Sequence, residues 1–310
     1  MSNFFIGIDT SNYTTSLAVC RDGEIIANLK KPVFVKDGDR GIRQSDALFN
    51  HVKNLPELFD SLDGLGVVPT AIGVSNKPRD VEGSYMPCFL AGVTVAKASA
   101  ALLRVPLYSF SHQRGHLRAA IYSSKMPVYS EYIAFHVSGG TTEMLHVSDD
   151  EISLVGATLD INAGQLIDRV GVKMGLAFPC GMSMEKLCDF DSKCKVKPKI
   201  CVNGLNCNLS GLENIATSML SSGYDKMDVA YFVLESVRAT LDKMTENALA
   251  KFGDLPILFS GGVMSNSYIK KCFENKYGAY FAKPEFSADN ASGIALLSMD
   301  KYIRDNRTIV

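Results

Sequence analysis

Two histidines four residues apart, His112 and His116 in SHQRGHLRAAIYS, have the types and spacing to act on one centre. Positions i and i+4 of a helix share a face, so both imidazoles can be aimed at a single metal ion. A solvated or partly packed pair has the same spacing, and spacing alone leaves both readings open. Only five histidines occur in the 310 residues, which tilts the balance slightly towards ligands. A zinc-peptidase reading of HxxxH requires Glu directly after the first His as general base; Gln113 stands there and cannot take a proton. Asp289, in FSADNASGIALL, is a candidate third ligand, and His136, just upstream of a glycine turn, a candidate fourth. Neither can be paired with the helix histidines by spacing, and a helix-starting Asp or a sheet-edge His are their plainer roles.

Three turns, two of them glycine-bearing, supply a second kind of chemistry. Ser138-Gly139-Gly140-Thr141 ends an apolar strand and can present successive backbone N–H groups to a phosphate or another anion. Asp9-Thr10-Ser11-Asn12 ends a similar strand and adds a carboxylate and hydroxyls. After the apolar run PILF comes Ser260-Gly261-Gly262, then a helix expected from about Ser267. Such a strand–turn–helix lets a nucleotide lie against backbone and helix N-terminus. Asn266 sits where an N-cap belongs, which is its simplest role.

The elements that position these turns are duplicated. Residues 5–26 (FIGIDTSNYTTSLAVCRDGEII) and 132–153 (YIAFHVSGGTTEMLHVSDDEIS) align without a gap, both reading as strand, polar turn, strand, acidic turn, strand. A helical pattern follows each copy, around DALFNHVKNLPELFDSL and AGQLIDRVGVKMGL. This predicts two related α/β lobes across a cleft.

Composition narrows the class. The net charge of −1 gives no global pull on nucleic acid, so an RNA-binding role requires a local basic patch or a basic partner. Lys193, Lys195, Lys197 and Lys199 form one alternating strip, for which a solvated loop is the plainer role. MSNFFIGIDT has no secretory pattern, and no apolar run approaches the roughly 18 residues of a membrane span. Eight cysteines at irregular spacing, Cys188, Cys194, Cys201 and Cys207 among them, form no CxxC pair and read as reduced cytosolic thiols.

Seven ordered motifs, GIDTS, SHQRGH, HVSGGTT, GATLDINAGQLIDR with GLAFPCG, NLSGLEN, FSGGVMSN and ADNASGIALL, carry a resemblance over nearly the whole length. The chain resembles the TsaD family, the tRNA threonylcarbamoyladenosine transferase subunit also described as glycoprotease or O-sialoglycoprotein endopeptidase-like. The resemblance implies an actin-like ATPase (ASKHA, duplicated ribonuclease H-like) α/β fold. It sets an N-terminal lobe at 1–125, to which a last helix at 290–310 can return, and a C-terminal lobe at 126–289. It implies a cytoplasmic acyltransferase that moves threonylcarbamoyl from its adenylate to the adenosine next to the anticodon. A carbamoyltransferase with a non-tRNA acceptor and a non-catalytic nucleotide-binding paralogue are the alternatives.

Carried over by position, His112, His116 and Asp289 become ligands of iron or zinc. His136 stands where archaeal and eukaryotic members have a ligating tyrosine. Val137, Ser138, Gly139, Gly140 and Thr141 would cradle the phosphate or carbamoyl end, and Asp168, Gly181, Glu185 and Asn266 the ribose and adenine. Asp9 would orient the attacking group or a metal-bound water. Partners implied are tRNA, threonylcarbamoyl-adenylate, and TsaB-like and TsaE-like subunits. Four departures touch the cleft: Tyr13 and Thr14 replace an acidic pair, EGSYMPCFLAG replaces GPGLVGALLVG, Thr141 replaces His after SGG, and Cys180 replaces the first Gly of PGG.

Overall fold

A computed structural model describes residues 2–34, 42–149, 151–188, 190 and 196–307. Cys194 and two of the four alternating lysines, Lys193 and Lys195, lie outside the described residues. In chain order the elements begin with β1 (Phe4–Ser11), β2 (Thr14–Arg21), β3 (Glu24–Pro32), α1 (Gln44–Asp60), β4 (Pro69–Lys77), α2 (Phe89–Leu103), β5 (Leu107–Ser111) and α3 (His112–Ser124). There follow β6 (Glu131–Val137), β7 (Thr142–Ser148), β8 (Glu151–Ala157), α4 (Ala163–Lys173) and α5 (Gly181–Leu187). Next come the small hairpin β9 (Val202–Asn203) and β10 (Asn206–Cys207), then α6 (Ser210–Ser221) and α7 (Lys226–Phe252). The chain finishes with β11 (Ile257–Ser260), α8 (Ser267–Tyr277), β12 (Tyr280–Phe281), α9 (Pro284–Ser287) and α10 (Ser292–Arg307).

These elements form two compact units, Met1–Tyr122 with Glu285–Val310, and Ser123–Pro284. The first unit regains the chain at Glu285, so Asp289 stands with the HxxxH helix. Its sheet has the order β3-β2-β1-β4-β5, and the second unit repeats it as β8-β7-β6-β11-β12. In both, three antiparallel strands are extended by two parallel ones. The acidic turns correspond as well: Asp22 and Asp149 each adopt a φ of 50°, the left-handed conformation that Asp tolerates in tight hairpins.

Strand period two decides which side chains meet which helices. In β1, Ile6 and Ile8 enter the core with Leu55 and Leu58 of α1 and Ala91 and Ala96 of α2. Phe5 faces the other way, towards Ala291, Ala295 and Leu296. Gly7 shares that side, and a Cβ there would lie 2.4 Å from both Ala291 O and Ala295 N. The start of α10 therefore rests directly on the β1 backbone. Asp9, two residues on, is aimed at this same side. In the second unit, Phe135, Phe259 and Phe281 stack in series at 4.9 and 5.1 Å between ring centroids.

The seven described cysteines are free thiols. Burial pushes Cys20, Cys88 and Cys207 up to about 11, which keeps them protonated and unreactive at neutral pH. No described helix is long and apolar enough to cross a membrane.

Candidate functional site

The helix histidines and Asp289 meet in the first unit. α3 starts at His112, and Ser111 caps it by accepting a hydrogen bond from Arg114 N at 3.2 Å. Opposite, Asn290 folds the loop before α10: its amide donates to Ala288 O at 2.7 Å and Phe286 O at 3.2 Å, and its oxygen accepts from Ser292 N at 3.1 Å. Lys30 Nζ donates to Glu285 O at 2.7 Å and steadies the same loop. Asp289 Oδ1 then lies 3.2 Å from His116 Nε2 and 3.5 Å from His112 Nε2, and the two Nε2 atoms are 2.9 Å apart. One ligand atom from each residue falls within 4.8 Å of the others. Two imidazole nitrogens and a carboxylate oxygen converging on one point suit zinc or iron(II).

Asp9 acts on this cluster from behind. It is fully buried, with Oδ2 2.9 Å from His112 Nδ1 and Oδ1 accepting from Ser75 Oγ. A proton on Nδ1 directed at Asp9 leaves the Nε2 lone pair for the shared point, the carboxylate–histidine–metal pattern. Burial opposes a charge on His112, but the Asp9 and Asp289 carboxylates more than offset it and raise it to about 10. Asp289, despite its own burial, is held well below the usual carboxylate range by His112 and His116. The point is built for positive charge.

The polar groups of the first turn are turned inward. Thr10 Oγ1 donates to Cys88 O at 3.1 Å and accepts from Gly92 N at 3.2 Å. Asn12 Oδ1 accepts from Gln44 Nε2 at 2.7 Å. Thr15 Oγ1 bonds His51 Nδ1 at 2.8 Å and accepts from Asn54 Nδ2 at 3.0 Å. Burial lowers His51 to about 4, so it is neutral. Tyr13, one of the departures, is half exposed.

In the second unit a cavity of about 340 Å³ is lined by Gly139, Asp168, Gly181, Glu185 and Asn266, five of the residues picked out for nucleotide binding. Gly164, Ile167, Met182, Leu234, Val263 and Ser265 complete much of its wall. Gly164 lets α4 reach the 138–141 turn: a Cβ there would be 2.7 Å from Ser138 O and Gly139 Cα. Gly164 N bonds Ser138 O at 3.2 Å. Ser138 N and Gly140 N are used inside the turn, bonding Thr141 O at 2.7 Å and Ser138 Oγ at 3.3 Å, so the cradle has fewer open N–H groups than the sequence implies. Gly261, at φ 98°, passes over Val137 where a Cβ would be 2.3 Å from the carbonyl oxygen. A 3-10 turn at Gly262–Ser265 then separates the glycines from α8.

Asn266, Glu185 and Asp168 of this lining also have local tasks. Asn266 caps α8 by accepting from Ile269 N at 2.9 Å. Glu185 accepts from Ser267 N at 2.8 Å, and Asp168 from Cys180 N at 2.7 Å, which fixes the loop that leads into Gly181. His136 bonds Ser260 Oγ through Nδ1 at 3.0 Å. Sequence reasoning missed Ser75 and the apolar wall, which have no motif of their own. Asn290 was within reach as the neighbour of Asp289.

A family model for tRNA N6-adenosine threonylcarbamoyltransferase matches residues 26–296. The protein of that name from Methanopyrus kandleri is 30% identical over 299 residues, which span 94% of this chain and 85% of that one. A Thermus thermophilus protein of the same name is 30% identical over 305 residues, 96% of this chain and 93% of its own. Among solved structures, HypF from T. kodakarensis has a TM-score of 0.61 at 14% identity, covering 98% of this chain and 48% of that one. A ROK family glucokinase from Streptomyces griseus has 0.53 at 11%, covering 96% and 100%. The α/β fold, with its two related sheets, is that of the actin-like ATPases.

Proposed function

Because the chain belongs to the TsaD family of tRNA N6-adenosine threonylcarbamoyltransferases, we propose that it transfers threonylcarbamoyl from its adenylate to a tRNA adenosine. The observation that carries this reading beyond family membership is the convergence of His112, His116 and Asp289, backed by Asp9. In the reaction the adenosine N6 forms a bond to the carbamoyl carbon, the bond from that carbon to the phosphate oxygen breaks, AMP leaves, and the N6 proton is released. Iron or zinc held by the three residues would supply Lewis-acid stabilisation of the negative charge that develops on the donor.

The chain's own groups have separable tasks. Asp9 positions: it fixes the His112 tautomer and never touches substrate, because it is fully buried and both its oxygens are taken. The apolar part of the second unit's cavity, Ile167, Leu234 and Val263, suits the adenine, while Asp168 and Glu185 offer carboxylates to ribose hydroxyls. Gly139 and Gly140 give the phosphate a close approach. His136 is retained as a candidate metal ligand, and TsaB-like and TsaE-like subunits as candidate partners in the cytoplasm.

The test is transfer from threonylcarbamoyl-adenylate to unmodified tRNA, with Asp289→Ala as the inactive control. Product that requires Asp289 supports the reading. Adenylate binding without transfer to tRNA, in the presence of partner subunits, refutes it and favours another acceptor, since Tyr13 and Thr14 stand where the family has carboxylates.

A further inference from the structure

Asp80 lies in the loop after β4, two residues before the EGSYMPCF segment that departs from the family pattern. Its carboxylate gathers three donors: Lys77 Nζ at 3.1 Å on Oδ1, and Ser111 Oγ at 3.1 Å and Arg114 Nε on Oδ2. The same loop is fastened again where Gln113 N donates to Pro78 O at 3.0 Å. Burial disfavours the Asp80 charge, but the bonds from Lys77 and Arg114 more than offset it and hold the carboxyl below its ordinary range.

These contacts bear on the residue between them. α3 begins at His112, so no earlier helical turn holds this side chain, and first turns otherwise fray. Ser111 is fully buried, and its hydroxyl has one proton. Committing that proton to Asp80 leaves the oxygen lone pairs directed at Arg114 N, the capping bond of the helix. Asp80 also takes the Arg114 side chain directly. The residues immediately before and two after His112 are thus held by one carboxylate. Metal ligands must meet within about 0.2 Å of their ideal distances, so a small roll of this first turn is enough to spoil the site.

We propose that Asp80 is a positioning residue for the metal centre, holding the first turn of α3 so that His112 and His116 meet Asp289. The proposal rests on the metal reading of that cluster. It also gives a role to the loop in which this chain leaves the family pattern: the carboxylate there sets the helix that carries the ligands.

The experiment measures zinc affinity by competition with a chromophoric chelator, and the visible spectrum of the cobalt(II) form, on the full chain. Asp80→Ala should bind zinc about tenfold more weakly and alter the cobalt ligand-field bands, as outer-shell substitutions do. Ser111→Ala, which removes the cap but keeps the Lys77 and Arg114 pairs, should do the same and decides the matter if Asp80→Ala does not fold. Lys77→Met should leave both readouts at the parent's values, because Lys77 is outside the capping chain. If both loop and cap variants bind within about twofold of the parent with its spectrum, the positioning role is wrong while the metal reading stands. A parent that takes up neither ion overturns both.

Discussion

Gly293→Ala is expected to damage stability and metal binding together, because α3, which carries the two histidines, and the start of α10, which follows Asp289, touch backbone to backbone. A Cβ on Gly293 would lie 1.8 Å from Gly115 O and 2.6 Å from Gly115 C. Gly115 sits between His112 and His116 in α3, and Gly293 follows Asp289 by four residues at the start of α10. Relief requires the helices to part by more than about 1 Å in an interior packed as tightly as a crystal. Overpacking of this kind costs about 1–3 kcal/mol, and helix propensity returns at most about 1 kcal/mol. The same displacement is several times the roughly 0.2 Å that a metal–ligand bond tolerates, so zinc affinity should fall by more than about tenfold. Gly115→Ala is the internal contrast. Its Cβ meets Ile294 Cδ1 at 2.9 Å and Cγ1 at 3.2 Å, side-chain atoms that yield more readily than a backbone carbonyl, so that variant should cost less than Gly293→Ala. Urea unfolding and a zinc competition titration read the two effects. Should Gly293→Ala match the parent within about 0.5 kcal/mol and bind zinc equally well, the close helix crossing is not what assembles the site.

Two further expectations follow from titration and capping. His112 is raised from 6.5 to about 10 in the metal-free chain, so its stabilising charge is fully present below pH 6.5 and lost as pH rises through about 10. Metal-free stability should decline across that window, the decline should vanish in His112→Gln, and zinc uptake at neutral pH should release a proton, seen calorimetrically in buffers of different ionisation enthalpy. Asn266→Ala should cost about 1 kcal/mol through the lost α8 cap. Adenylate affinity should weaken with it if Asn266 also touches the nucleotide, and an unchanged affinity would reduce its role to the cap.

The duplicated strand pattern was legible because local chemistry wrote it twice: apolar strands, Ser/Thr-rich first turns and acidic second turns at one spacing, which became one strand order in both units. The HxxxH face was legible for the same reason, since i and i+4 share a helix surface wherever the helix lies. Asp289 was not, as 173 residues separate it from His116 and no local period links them. Its place depends on α10 returning to lie on Gly7, where only the absence of a side chain permits the approach. The strand alternation that turns Asp9 towards α3 was readable, but not that His112 would be waiting there. Nor could the sequence show that the hydroxyls of Thr10 and Thr15 are spent inward, on α2 and α1 respectively. Residue type and spacing determined which chemistry was available; long-range packing of glycine-thinned helices on the sheet decided which of those residues share a centre.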